Sequence, residues 1–309
     1  MYNKNMVTPL ACQRIHEMLN IDDTIYRLKQ HVAVLTKEIG ERSVFAPRGL
    51  KLAADYIETT YRASGLKCRR EEYTYHDGTM ANIVAEASPP GTSLPIYLIG
   101  AHYDSVAGTV GADDNASAIA VQLELARQIG KPCRMGRAAR FVSFPLEEPP
   151  VFGTPHMGSR RYAAAARKRG ERIDGMICLE MVGYTCREPG CQDYPFPLMF
   201  LGYPKTGTFI TVVGNYSSRP LTQKLIAAFR KNRELPAIPL TIPLGGYLVP
   251  AVRLSDHASF WDNGYRAVMI TDTAFFRNPN YHLATDTMET LDFRFMAELV
   301  ESLMLFFLA

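Results

Sequence analysis

The chain has 309 residues, with 34 Lys or Arg against 31 Asp or Glu, a formal net charge of +3. So small an excess, spread along the chain, gives no case for a nucleic-acid partner. A content of 47% hydrophobic and 21% charged residues is that of an ordinary globular protein.

No apolar core or small-residue cleavage site follows Met1-Tyr2-Asn3-Lys4-Asn5, so no signal peptide is expected and the expectation is a cytoplasmic protein. Two helices are expected over 23–65. Ile25, Leu28, Val32, Leu35 and Ile39 recur at helical spacing, as do Leu50, Ala53, Ile57 and Tyr61, and Gly65 closes the second helix. Residues 67–87 read as strand with a turn at Asp77-Gly78, and 88–93 as a loop. A nearly continuous apolar strand at 95–101 implies a sheet covered on both faces. A helix over 115–130, a strand over 137–146, a helix over 157–169 and a strand over 175–182 follow. Arg160, Arg161, Arg167, Lys168 and Arg169 fit the solvated face and C-terminal end of the third of these; Arg134, Arg137 and Arg140 form the other basic group. Strands at 209–213 and 266–271 flank a helix at 219–232. From Asp292, the helical spacing of Phe295, Met296, Leu299, Val300 and Leu303 predicts a core-packed terminal helix. The apolar end 302–309 is too short to span a bilayer, so no membrane partner is expected. Strands alternating with helices predict a three-layer α/β sandwich around a mixed, mostly parallel sheet. No linker or repeat divides the chain, so one domain over 1–309 is expected, with 1–65 as its helical N-terminal part.

Of the six cysteines, Cys178 sits in an apolar run and reads as a buried thiol. Cys186 and Cys191 flank a Pro-Gly turn that could bring their sulfurs together. Two reduced thiols are the favoured reading without an export signal, and a zinc site lacks partner ligands nearby. Cys12, Cys68 and Cys133 carry no pattern.

The chemistry gathers at strand ends, where ligands of open α/β sheets bind. His102 and Asp104 follow an apolar run. Residues two apart on extended backbone share a face, so Asp104 can hold one ring N–H while the other nitrogen meets a metal. Alone, His102 is a hydrogen-bonded histidine at a strand end. Gly111-Ala112-Asp113-Asp114-Asn115 precedes a helix, with one acid more than a cap needs, and a carboxylate bridging two cations suits it. Glu147 and Glu148 follow a buried strand and precede Pro149-Pro150. Without a cation this juxtaposition is costly; with one, Glu148 ligates and Glu147 stays free as a base. Glu180 lies inside an apolar strand, where acids are rare unless paired or metal-bound. His282 alone says little, and His257, in Ser255-Asp256-His257, competes with it as a ligand. His16, His31, His76 and His156 lack acidic company and read as surface or packing residues.

In this order, His102-x-Asp104, Gly111-Ala112-Asp113-Asp114-Asn115-Ala116-Ser117, Glu147-Glu148, Met157-Gly158-Ser159, Leu179-Glu180-Met181, Ser255-Asp256-His257 and Tyr281-His282 resemble metallopeptidase family 28, the bacterial leucyl-aminopeptidase-like di-zinc exopeptidases. The resemblance runs from about Ala53 to the C-terminus and implies a zinc aminopeptidase fold. It implies two zinc ions, one bound by His102 and the other by His282, bridged by Asp114, with Glu148 and Glu180 each completing one site. Glu147 would be the general base, Asp104 would orient His102, and Tyr281 would donate to the oxyanion. Two positions depart from the family pattern: relatives often carry aspartate where Glu180 stands, and Ala118 replaces a glycine.

The expected activity is hydrolysis of the first peptide bond of a peptide or amino-acid amide. The alternatives are a one-zinc glutaminyl-peptide cyclotransferase, a carboxypeptidase-like or amidohydrolase relative using Arg253 or Arg277 for a substrate carboxylate, and a non-catalytic binding domain. Mixed His and carboxylate ligands suit zinc, with cobalt or manganese as substitutes. The 194–207 and 236–252 loops are expected to wall the substrate pocket.

Overall fold

A computed structural model describes residues 20–87, 94–131, 135–195 and 202–309. His16, Cys12, Cys133, Arg134 and the 88–93 loop lie outside them. Asn20 opens α1 (Ile21–Ala33) by accepting the amides of Asp22 and Asp23, which answers the unpaired N–H groups of a helix start. A wider turn over Val34–Ile39 ends at Gly40. Pro47 stands in the first turn of α2 (Pro47–Ala63), where its missing N–H costs nothing. Gly65, at φ +79°, turns the chain out of that helix.

Strands β1 (Lys67–Tyr75) and β2 (Gly78–Ala87) form a hairpin in which Tyr75 pairs with Gly78. The two loop residues are therefore His76 and Asp77, one step earlier than the Asp-Gly pair suggests. Then come β3 (Ile96–His102), α3 (Ala118–Gly130), β4 (Ala138–Phe144), α4 (Gly158–Lys168), β5 (Gly175–Glu180), β6 (Ile210–Asn215), α5 (Arg219–Phe229), β7 (Ala237–Ile242), α6 (His257–Asp262), β8 (Ala267–Thr271) and α7 (Phe293–Phe307). The eight strands form one sheet in the order β1-β2-β4-β3-β5-β8-β6-β7. Its centre, β4-β3-β5-β8, is parallel, and β6 runs against β8.

Side-chain alternation divides the core. Ile99 of β3 and Phe141 of β4 face the cluster shared with α1, α2, α3, α5 and α7. Leu98 and Val142 face the cluster shared with α4 and α6, around Tyr162, Phe260 and Trp261. This is the expected three-layer sandwich. Helix α3 is buried nearly all round, so its polar Gln122 needs partners. It donates to the carbonyls of Ile99 and Val142 and accepts from Ser143. Helix α7 starts on the Asp292 side chain, which accepts from Phe295 N, and is buried along nearly its whole length. Among the described residues no helix is long and apolar enough to cross a membrane.

Three local expectations change. Strand β7 lies in the stretch expected to be a pocket loop. Its Pro239 disguises it, yet proline is admissible there because β7 is an edge strand. The helix expected from residue 115 begins at Ala118. A wider turn over Ala112–Ser117 precedes it, with Asp114 and Asn115 out of helical geometry. Asp286 captures the amides of Asp113 and Asp114, and Asn115 bonds Leu179 O and Met181 N, so tertiary partners replace the helical ones. Finally, Cys186 and Cys191 form a disulfide, with Cα atoms 6.3 Å apart, where reduced thiols were the favoured reading. Gly190 at φ +89° supplies the turn between them.

Candidate metal centre and active site

The parallel strands end on one edge of the sheet, and the acidic and imidazole groups collect there. His102 is the last residue of β3, Glu147 and Glu148 follow β4, Glu180 ends β5, and Asp272 follows β8. The turn before α3 brings in Asp114, and the loop before α7 brings in His282. Leu146, Met181 and His282 hold left-handed backbone, at φ +64°, +44° and +59°; such conformations persist where surroundings dictate them.

Asp114 sits at the centre. Its Oδ1 lies 3.3 Å from His102 Nε2 and its Oδ2 lies 3.2 Å from His282 Nε2. Glu180 Oε2 is 3.4 Å from the first imidazole and Glu148 Oε2 is 3.5 Å from the second. Ser255 Oγ donates to Glu180 at 2.6 Å. Asp104 lies 3.4 Å from His102 Nδ1 and accepts the amides of Glu147 and Glu148, tying the ends of β3 and β4 together. Glu147 approaches His102 only to 3.9 Å. All eight residues singled out in the sequence thus meet in one place, with Tyr281 stacked on His282 at 3.7 Å between ring centres. His257 is elsewhere: its Nε2 is 2.8 Å from Val252 O and its ring meets Trp261 edge-on.

Electrostatics follow from burial. Desolvation pushes Glu147 and Glu148 well above the usual carboxylate range, and Glu180 above it, with neighbouring acids adding to each. Burial also opposes the charge on Asp114, but the two imidazoles hold its carboxyl well below normal. Burial raises Tyr281, so its hydroxyl keeps its proton. A divalent cation inverts this balance by stabilising the ionised acids.

Three sets of ligand atoms lie within 4.8 Å of one another: His102, Asp114 and Glu180; Asp114, Glu148 and His282; and His102, Glu147 and Glu148. Among the described residues, both nitrogens of buried His102 and one oxygen of buried Glu148 have no hydrogen-bond partner. Buried polar atoms rarely go unpaired, and mixed His and carboxylate donors suit a divalent transition metal, so the residues fit metal ions.

Two supporting residues, Asp286 and Arg42, had no signal in the sequence. The Asp286 carboxylate accepts from Asp113 N at 2.8 Å and Asp114 N at 3.1 Å, which ties the His282 loop to the Asp114 turn. Buried Arg42 donates to the carbonyls of Leu35, Gly40, Tyr103, Val110 and Gly111. Asp113 and Asp272 form a buried carboxyl pair, and desolvation together with Asp272 pushes Asp113 well up. Asp256 is fully buried, neither of its carboxylate oxygens has a hydrogen-bond partner among the described residues, and burial pushes it up to about 7. Arg253 bonds Gly245 O and Asp262, and Arg277 bonds Gln192, Tyr184 O and Phe209 O, so both are committed to protein partners.

Two cavities meet at this edge. One is lined by Asp114, Glu147, Glu148, Phe152 and His282. The other is mainly apolar, floored by Val213 of β6, Ile238 and Leu240 of β7 and Met269 of β8, and walled by Tyr194, Phe209, Phe275 and Phe276. Glu180, Leu254 and Tyr281 line both. The expected wall segments do contribute, although part of 194–207 lies outside the described residues.

The histidines and acids thus stand at the carboxyl edge of a parallel-centred α/β sandwich, where ligands of such sheets bind. The pattern of peptidase family M28 matches residues 82–306, and the chain belongs to that family. It is 36% identical over 283 residues to the uncharacterized protein YfbL of Escherichia coli (strain K12), covering 89% of this chain and 85% of that one. It is 28% identical to the probable leucine aminopeptidase 1 of Trichophyton verrucosum over 72% of this chain, and spans only 56% of that relative. In fold it is similar to the Legionella pneumophila LapA aminopeptidase, with a TM-score of 0.71 at 18% identity over 99% of this chain and 76% of that one. It is also similar to Porphyromonas gingivalis glutaminyl cyclase, with a TM-score of 0.66 at 19% identity over 94% and 98%.

Proposed function

We propose that the chain is a zinc aminopeptidase that removes large apolar residues from the N-terminus of peptides. The observation that carries this is Asp114, whose two oxygens each lie within 3.3 Å of a different imidazole. A carboxylate so placed serves two cations: His102 and Glu180 would complete one site, and Glu148 and His282 the other. Bound zinc would polarise the scissile carbonyl and lower the pKa of its water to about 7.

The chain's own residues do the rest. Glu147 is the carboxylate left over when both sites are complete. It takes the proton of the attacking water and passes it to the leaving amine. Tyr281, held protonated by burial, donates to the oxyanion as it forms. Glu180, on the wall shared by the two cavities, faces the substrate's free α-amine and restricts cleavage to the first bond. The apolar cavity takes the first side chain.

A panel of aminoacyl-p-nitroanilides, together with a peptide beginning with glutamine, tests this on wild type and Glu147→Gln. Cleavage of leucyl and phenylalanyl substrates, lost in the variant with metal content retained, supports the reading. Pyroglutamate formation without amide cleavage would replace it with a cyclotransferase. Trp261, the one tryptophan, does not favour that outcome: it is buried and its indole N–H is bonded to Ala267 O.

A further inference from the structure

Arg277 is a charged residue that the reaction does not use, 4% exposed and set behind the apolar cavity. Its three kinds of donor reach three separate stretches of chain. Nε donates to Gln192 Oε1 at 2.8 Å, one terminal nitrogen to Tyr184 O at 3.3 Å and the other to Phe209 O at 2.9 Å. The guanidinium also stacks on the Phe209 ring at 4.6 Å. Gln192 continues the connection, donating to Thr273 Oγ1 and Phe276 O, while Asp193 N bonds Phe276 O. Phe209, Thr273, Phe276, Asp193 and the adjacent Tyr194 all line the cavity.

The same hub is tied to the Cys186–Cys191 disulfide. Cys186 pairs with Gly207 across an isolated bridge. A Cβ on Gly207 would lie 2.4 Å from Arg277 Nε and 2.8 Å from Cys186 Sγ, so the arginine and the disulfide pack against the one residue with no side chain. A buried guanidinium bonded through each of its three nitrogens to two carbonyls and a side-chain amide fixes their relative positions tightly.

We infer that Arg277 is the specificity-positioning residue of this enzyme: it holds the three cavity walls together and thereby sets which N-terminal side chains fit. This rests on the aminopeptidase reading. The arginine does not touch the reacting atoms, and it does not serve a substrate carboxylate. A small first side chain would bury little surface against these walls and a leucine or phenylalanine side chain much more, so loosening the hub should penalise large side chains selectively. A group that merely stabilises the fold would lower all substrates alike.

The experiment compares kcat/KM for leucyl-, phenylalanyl- and alanyl-p-nitroanilide in wild type, Arg277→Met, Arg277→Lys and Gln192→Ala. The expected result is a leucine-to-alanine ratio at least tenfold lower in Arg277→Met, carried by KM, with the lysine variant in between. Gln192→Ala keeps the arginine and its charge and shifts the ratio the same way, so the test survives if Arg277→Met does not fold. Equal losses on all three substrates overturn the inference. Calorimetric titration with leucine and alanine hydroxamates reads the same ratio without turnover. Wild type that binds leucine hydroxamate selectively but cleaves nothing would remove the aminopeptidase reading, and a leucine-to-alanine hydroxamate ratio unchanged in Arg277→Met and Gln192→Ala would then overturn the hub as well; wild type that binds neither overturns both.

Discussion

Replacing Arg42 with methionine removes a fully buried cation that ties the N-terminal helical part to the end of β3 and to the segment leading into the Asp114 turn. It donates to five carbonyls. Two of these keep another partner, because Leu35 O also accepts from Gly40 N and Gly111 O from Ala116 N. The carbonyls of Gly40, Tyr103 and Val110 lose their contact. Tyr103 is buried, while Gly40 and Val110 are half-buried and water can reach their carbonyls; at about 1–3 kcal/mol for a buried acceptor left unpaired and less for the other two, the loss is roughly 2–4 kcal/mol. The cation also faces Asp104, Asp286, Asp114 and Glu148, so its removal leaves the acid cluster less balanced. Against a total stability of about 5–15 kcal/mol this is a large fraction. Urea unfolding followed by circular dichroism should show the midpoint fall sharply in Arg42→Met and less in Arg42→Lys, which keeps the charge. A loss under about 1 kcal/mol would refute the reasoning, because the turns would then hold their shape without the guanidinium.

Three further outcomes are expected. Tyr281→Phe should lower kcat by about 10²–10³ with little change in KM, since one oxyanion donor is removed; steady-state kinetics on a leucyl substrate checks this. Gly111→Ala should abolish metal uptake, because the glycine stands at φ +49° and a Cβ there would lie 2.2 Å from Asp114 O; titration with zinc reads it. His257 is fully buried, and burial holds it down to about 4 from an ordinary 6.5. The unfolded chain therefore binds the extra proton first. The stability this neutral ring contributes is intact above pH 6.5 and is lost as pH falls toward 4, by about 3 kcal/mol. Glu147, Glu148 and Glu180, held above the usual carboxylate range, titrate with the opposite sign, whereas Asp114, held below it, titrates with the same sign, so the measurement is the stability difference between wild type and His257→Gln at pH 7 and pH 4.5. A difference independent of pH would contradict the assignment.

The central strands were legible because burial on both faces leaves nearly continuous apolar runs, as in β3 and β5. The acids were legible because charge at the end of such a run conflicts with burial. His102 and His282 were not legible singly; only their order among the acids gave them meaning. Arg42 and Asp286 left no pattern, because each acts by bonding backbone groups far away in sequence, and that leaves no periodicity. Strand β7 was hidden by Pro239, whose admissibility depends on an edge position set by the whole sheet. The turn at Asp114 looked like a helix start because its residues cap helices well; its actual shape comes from Asp286 and from Asn115 reaching β5.

The most direct test is the zinc content of purified protein by elemental analysis, for wild type, Glu180→Ala and Asp114→Ala. The account predicts two zinc ions per chain in wild type, one in Glu180→Ala, and loss of tight binding at both sites in Asp114→Ala. A wild-type chain that saturates with a single zinc, unaffected by Glu180→Ala, would contradict a shared carboxylate between two metals.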